Sequence, residues 1–404
     1  MYFCKEVRHS FITKTKVSIV GAGAAGCFCA VEIKRRMPGA QVTVYEAGPR
    51  PMAKLALTGG GRCNLTNSFA RIGRLAEAYP RGEQVMKRAL RVFSHEDTMA
   101  WFEKEGVALL TQEDECVFPV SQDAMQIVRT LERSMRELGV KLVCNRRVAS
   151  VSELDADVVV VTAGGSTRAS LQSLLPSDVP IVDPVPSLFT FKIADDSLKS
   201  LMGTVVENAS LRLAGSNFRS SGALLLTDWG VSGPATLKLS SYAARHLAAD
   251  GYRGTLLVNW LDRTEDVVRS LMGGLAAGAA GKFISNVHPE ELTGRLWLHL
   301  LSRAGLRPDL RWQELGAKGM NRLVNILTAD NYDICGRARF KEEFVTCGGV
   351  DLAGVDPNTL ESRLHPGLFF AGEVLDIDAI TGGFNLQAAW STAYVAARAI
   401  TSEK

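Results

Sequence analysis

Residues 16–46 read KVSIVGAGAAGCFCAVEIKRRMPGAQVTVYE. The apolar run Lys16–Val20 predicts a strand, and the alanine-rich run after Gly26 predicts a helix. Between them Gly21, Gly23 and Gly26 form G-x-G-x-x-G, and Glu46 ends a second apolar strand twenty residues after Gly26. In a βαβ unit Gly21 permits the tight turn, Gly23 lets backbone approach a pyrophosphate and Gly26 allows close helix–strand packing. Ala24 and Ala25 then sit in the first helical turn, whose unpaired N–H groups and dipole attract phosphate. Glu46, followed by Ala47, is placed to accept hydrogen bonds from ribose hydroxyls, and an acid there selects against a 2′-phosphate. A lone G-x-G-x-x-G is a weak signal. The flanking strand, helix and acid make this a dinucleotide site.

The far end of the chain identifies the dinucleotide. Residues 367–400, GLFFAGEVLDIDAITGGFNLQAAWSTAYVAARAI, begin with an apolar strand, Leu368–Ala371. Gly372, Glu373 and Asp376 follow, and Gly382-Gly383 leads into a long helix starting near Asn385, Leu386 and Gln387. A simple nicotinamide dehydrogenase needs no such second device. A FAD protein uses one helix N-terminus for the pyrophosphate and another near the flavin pyrimidine ring, where negative charge gathers on reduction.

The intervening chain predicts an interrupted domain. KLVCNRRVASV (141–151) reads as a strand, with Val148 on the adenine side through its backbone, and ADVVVVTAGG (156–165) as a strand buried on both faces. The latter ends in Ala163, Gly164 and Gly165, where the chain meets FAD and leaves the domain; Thr346-Cys347-Gly348-Gly349 marks its return. Short β-like runs, SLFTFKI, ASLRLAG, GALLLTDWGVSGPATLKLS and GTLLVNW, suggest a barrel or small sandwich over 188–261. Helical periodicity follows over 262–334. GGLAAGAAG (273–281) has no strand before it and reads as structural. Ser121 is the expected N-cap of a helix running to Leu138.

Composition sets bounds. The 404 residues carry 46 basic and 43 acidic side chains, a balance that does not by itself imply a nucleic-acid protein. No run of about 18 apolar residues exists, so no membrane span is expected. Residues 1–15 lack the apolar core of a secretory signal and read as a loose extension. Cys4, Cys27, Cys29, Cys63, Cys116, Cys144, Cys335 and Cys347 show no zinc or disulfide-framework spacing, which fits a reducing cytoplasm, and Cys27 and Cys29 read as packing residues. His246, His288 and His299 have no partners at ligand spacing, and no metal is predicted.

TGGGRCNLTN (58–67), the C-terminal GLFFAGEVLDIDAITGGFNLQAAWSTA and the opening VGAGAAG together resemble the BaiN/YhiN-like family of bacterial flavoproteins over nearly the whole chain. The resemblance implies an α/β fold: a Rossmann-like, two-dinucleotide-binding FAD domain (1–187 and 335–404) with an inserted barrel-like domain and a small helical domain. It implies that Gly59, Gly60 and Gly61 wrap against FAD. Arg62 then offsets phosphate or reduced-flavin charge, Asn64 bonds the cofactor and Lys54 assists. Cys63, beside Arg62, is open to a lowered pKa, with packing favoured over catalysis. Phe118 and Pro119 are placed near the flavin pocket by the same resemblance.

The activity it implies is flavin-dependent reduction of carbon–carbon double bonds, with NAD(P)H as transient reductant. A uridine of large-subunit ribosomal RNA and a steroid-like enone are the two substrate candidates. A non-catalytic FAD-containing RNA-binding protein is the rival class. A flavin disulfide reductase needs a proximal dithiol, and the sequence offers no suitably spaced pair. Residues 71–91 hold six Lys/Arg against two Glu, and 262–341 hold twelve Lys/Arg against nine Asp/Glu. If charges such as Arg303, Arg307, Arg311, Lys318 and Arg322 face the flavin cleft, they favour RNA. Oligomeric state and proton donor are not legible.

Overall fold

The Lys16–Val20 strand lies at the centre of a five-stranded parallel sheet, in a computed structural model that describes residues 15–338 and 345–402. The strand order is Leu368–Phe370, Val158–Val161, Lys16–Val20, Gln41–Tyr45 and Lys141–Val143. Val17, Ile19, Val42, Val44, Val160 and Val161 are all buried, as a sheet covered on both faces requires. The first helix, Ala24–Arg36, packs against the last, Phe384–Thr401, through Phe28, Ala30 and Ala393, with the Phe28 and Trp390 rings 5.5 Å apart. Both ends of the sequence therefore build one sheet-and-helix unit. The strand expected over 141–151 is confined to Lys141–Val143.

The insertion contains a closed six-stranded barrel, ordered Val205–Leu213, Arg219–Thr227, Gly230–Ser232, Phe191–Ile193, Asp330–Arg337 and Gly254–Asn259. Leu211, Leu224, Leu226, Val231, Leu256 and Val258 fill its interior. Two sequence expectations change here. Asp330–Arg337 lies beyond the 188–261 boundary and supplies a barrel strand, so the helices Glu265–Gly278, Gly294–Arg303 and Gly316–Ala329 emerge between two barrel strands. Its inward set is Asp330, Tyr332 and Ile334, and the leading acid hides the apolar alternation. Residues 234–240, grouped with the β-like runs, instead open a helix, Pro234–Tyr242. Proline at its first position preorganises that helix after Gly233, which takes φ +93°.

Val345–Val350 returns the chain, pairing antiparallel with Ile181–Ser187. A small antiparallel sheet of Thr66–Asn67, Cys116–Pro119 and Leu109–Thr111 flanks the nucleotide unit. The following helix, Ala124–Glu137, is capped by Asp123 rather than Ser121, because the Asp123 carboxylate accepts from Met125 N–H at 2.9 Å. GGLAAGAAG falls largely within the Glu265–Gly278 helix. Cys27 and Cys29 are fully buried, and burial pushes both thiols well above their usual range. The expected extension over 1–15 lies, apart from Thr15, outside the described residues.

Candidate active site

A cavity of about 390 Å³ opens where the strands Lys16–Val20 and Val158–Val161 end and the first and last helices begin. It brings together Gly21, Gly23, Ala24, Ala25, Glu46, Lys54, Ala163, Gly164, Gly165, Glu373, Asn385 and Leu386, residues separated by more than 350 positions in sequence. Both helix N-termini reach it without a side-chain cap and without an acid in the first turn. Two sets of orphan amides and two positive dipole ends thus converge on one cavity, an arrangement that suits an anion at each.

Glu46 stands between the glycine turn and the cavity. Its Oε2 accepts from Ala22 N–H at 3.0 Å, and its Oε1 accepts from Gly48 N–H at 2.7 Å. The carboxylate therefore fixes the phosphate turn while it lines the cavity, with lone pairs left for ribose hydroxyls. Across the site Lys54 Nζ pairs with Glu373 at 2.9 Å, and Glu373 also accepts from Thr346 N–H at 2.9 Å. A Cβ built on Gly23 meets no protein atom within 4 Å, whereas one on Gly26 lands 2.0 Å from the Gly21 carbonyl oxygen. Gly23 thus borders the cavity and Gly26 the helix–strand contact.

Other sequence candidates lie outside this lining. Gly59, Gly60 and Gly61 take φ +60°, +67° and +82°, a left-handed run that accounts for the three glycines by backbone conformation. Gly60 and Gly61 line no part of the cavity; Thr58 is the residue of that loop that does. Arg62 lies 4.6 Å over the Phe118 ring, a cation–π contact. Asn64 donates to the Thr66 carbonyl at 2.9 Å and accepts from Gly383 N–H at 3.2 Å, tying this loop to the last helix. Asp376 is held by Arg245 at 2.6 Å, and buried Gln387 accepts from Thr66 Oγ1 at 2.5 Å and donates to Ser391 at 2.9 Å. Val148 is buried and lines no part of the cavity, Gly372 is buried between the lining residues Ala371 and Glu373, Ala47 is exposed, and Phe118 and Pro119 belong to the small antiparallel sheet.

The lining also contains residues that sequence reading passed over: Ala22, Arg50, Met52, Ala53, Leu55, Thr58, Thr162, Val345, Ala371, Ile377, Ala388 and Ala389. Ala388 and Ala389, one turn into the last helix, carried the only available signal, since small side chains there keep the helix N-terminus open.

Cys63 is corrected. It is fully buried, and burial pushes its thiol up to about 12, against a smaller opposing effect of its hydrogen bond with Thr58. A thiolate at neutral pH is excluded. Cys63→Ser is expected to copurify with as much flavin as the parent protein, at a stability cost of about 1–2 kcal/mol for a buried hydroxyl. In the folded parent, mass spectrometry should find Cys63 unalkylated after iodoacetamide at pH 8. Rapid labelling would mean that it is exposed and activated.

The residues fit FAD: one uncapped helix start for its pyrophosphate, Glu46 for its ribose and a second uncapped start for its ring. Fold and site define a Rossmann-type, FAD-binding oxidoreductase. The chain belongs to the HI0933-like family, whose Rossmann-domain profile matches residues 15–399. Among curated relatives, a ribosomal RNA dihydrouridine synthase of Haemophilus influenzae is 27% identical, over 95% of this chain and 98% of the relative. A 3-dehydro-bile acid delta(4,6)-reductase of Clostridium scindens is also 27% identical, over 95% of this chain and 98% of that one. An Escherichia coli ribosomal RNA dihydrouridine synthase is 27% identical, covering 96% and 98%.

Proposed function

We propose that this chain is a cytoplasmic FAD-dependent reductase that converts a ribosomal RNA uridine to dihydrouridine, with NAD(P)H as reductant. The observation that carries the substrate choice is a second cavity, of about 630 Å³, beside the first. Ile377 lines the nucleotide cavity and Ile380, three residues on, lines the second. Arg71, Arg212, Arg219 and Lys238 line this cleft against the acids Glu77 and Asp262. A cationic, serine-lined cleft suits a polyanion better than an apolar enone. The charges named from the helical segment do not supply it. Arg303 is paired with Asp330 and Asp195, Arg307 lies 3.7 Å from Asp309, and neither these nor Arg311, Lys318 or Arg322 line either cavity.

FAD, when bound, supplies the hydride for a conjugated C=C bond. Balance requires one hydride and one proton per uracil C5=C6 bond, giving dihydrouridine and NAD(P)⁺ from uridine, NAD(P)H and H⁺. The chain's part is to hold the dinucleotide on its two helix starts, to exclude water with the 377–380 segment and to receive a base drawn out of its stack. The Tyr242 hydroxyl, on the cleft, donates to the Glu77 carbonyl at 2.9 Å and so braces the barrel against the nucleotide unit.

Released cofactor should be FAD, not FMN, by mass spectrometry. Deleting the gene should remove one dihydrouridine from the ribosomal RNA map of the source organism, and restoring it should return the modification. An unchanged map, with activity on a steroid-like enone that is insensitive to salt, would overturn the RNA assignment.

A further inference from the structure

Arg212 and Arg219 stand directly opposite each other across the antiparallel pair Val205–Leu213 and Arg219–Thr227. Directly opposed residues project from the same face of a sheet, and like charges so placed destabilise it. Both line the second cavity. Among the described residues, neither forms an ion pair or a side-chain hydrogen bond. A third cation, Lys238, enters from the Pro234–Tyr242 helix and reaches only the Ser221 carbonyl, at 3.5 Å. Lys238 is half-buried and has no carboxylate partner among the described residues, and its pKa is lowered by that burial. The two acids on the cleft do not answer these charges: Glu77 pairs with Arg74 at 3.2 Å, and Asp262 forms no ion pair among the described residues. The cleft thus holds three cations without a carboxylate partner among the described residues, two directly opposed on the barrel sheet and one on the adjoining helix, in a lining that Ile380 shares.

We propose that Arg212, Arg219 and Lys238 form a phosphodiester clamp that grips the RNA backbone next to the target base. The proposal rests on the RNA reading above and assigns the residues that recognise the substrate. Two guanidinium forks side by side match the oxygens of one phosphate or of two neighbouring ones, and they read no sequence. An unfavourable pair of this kind is relieved when an anion enters between its members.

The test compares Arg212→Ala/Arg219→Ala with Arg212→Lys/Arg219→Lys in the FAD-loaded protein. The probe is a fluorescein-labelled, uridine-rich single-stranded RNA, titrated across a salt series. Removing two phosphate contacts should lower the slope of log K against log salt by about 1.4, and affinity near 0.1 M salt by roughly 10- to 30-fold. The lysine pair should keep most of the slope. The alanine pair should melt no lower than the parent, because it removes a repulsion, whereas a merely structural pair would melt lower. An unchanged slope overturns the clamp. So does a rise in KM for NADPH with unchanged RNA binding, which would give the cleft to the nicotinamide nucleotide. Complementation of the deletion strain separates the two proposals. If parent and alanine variant both restore dihydrouridine and bind RNA with the same slope, the clamp falls and the RNA reading stands. If the parent restores nothing, both fall.

Discussion

Gly26→Ala is expected to yield a protein that melts at a lower temperature even without cofactor and that retains little FAD. The added Cβ would lie 2.0 Å from the Gly21 carbonyl oxygen and 2.6 Å from Thr162 Oγ1. Neither obstacle is the loose end of a flexible side chain. Gly21 is itself pressed against Thr162, whose carbonyl oxygen lies 2.4 Å from where a Gly21 Cβ would stand. The Thr162 hydroxyl donates to Gly21 O at 2.8 Å and to Val20 O at 3.1 Å. Two strand ends and the first helical turn therefore meet through backbone, and the helix must move outward. Overpacking of this kind costs about 1–3 kcal/mol, with the upper end expected where backbone is the obstacle. The moved helix would also carry its orphan amides away from the phosphate. Gly23→Ala is the informative contrast. Its Cβ meets no protein atom, so the cofactor-free protein should melt like the parent while FAD retention falls. Paired thermal melts of stripped and loaded protein check both. A Gly26→Ala protein as stable as the parent when stripped would show that helix and strand do not need this contact.

That contrast also shows how much was legible in the sequence. The strand–glycine–helix–strand–acid pattern of residues 16–46 is local, so each residue's job follows from its neighbours; strand, helix and Glu46 stand where spacing puts them. Asp376 and Gln387 lie in an equally suggestive stretch, yet their partners, Arg245 and Thr66, are 131 and 321 residues away. No spacing rule reports such partners, and a polar residue near a glycine turn looks the same whether it faces a ligand or the protein. The triple glycine carried a similar ambiguity, because a left-handed run and a close ligand approach call for the same residue. The cationic cleft was illegible for a third reason. Arg212 and Arg219 become neighbours only through hairpin register, and Arg71 and Lys238 reach the same space from different units. Counting charge along the chain pointed to 71–91, which supplies Arg71 alone of its cations to the cleft, and to the helical segment, where Arg303 is already neutralised by Asp330.

Asp378→Ala is expected to destabilise the folded protein by about 3–5 kcal/mol, the usual consequence of removing one member of a buried ion pair. Asp378 is fully buried, and Arg81 grips both its carboxylate oxygens, with Nε to Oδ1 at 2.6 Å. Ser187 donates to the same carboxylate at 2.9 Å, and Arg81 continues to the Ser241 carbonyl at 2.7 Å. The Arg81–Asp378 pair thus joins the nucleotide unit, the connection into the insertion and the helix beside the barrel. Asp378 sits between Ile377, which lines one cavity, and Ile380, which lines the other. Loss of the carboxylate leaves a guanidinium largely buried without its counter-charge, and that desolvation is the dominant cost. The double variant Arg81→Met/Asp378→Leu should therefore recover part of the loss, since apolar groups need no partner. The 377–380 segment should nonetheless be less well fixed, because the hydrogen bonds from Ser187 and to Ser241 disappear with the pair. Denaturant midpoints for the parent, both single variants and the double variant give the coupling. If Asp378→Ala unfolds at the parent's midpoint, the buried pair does not stabilise the fold.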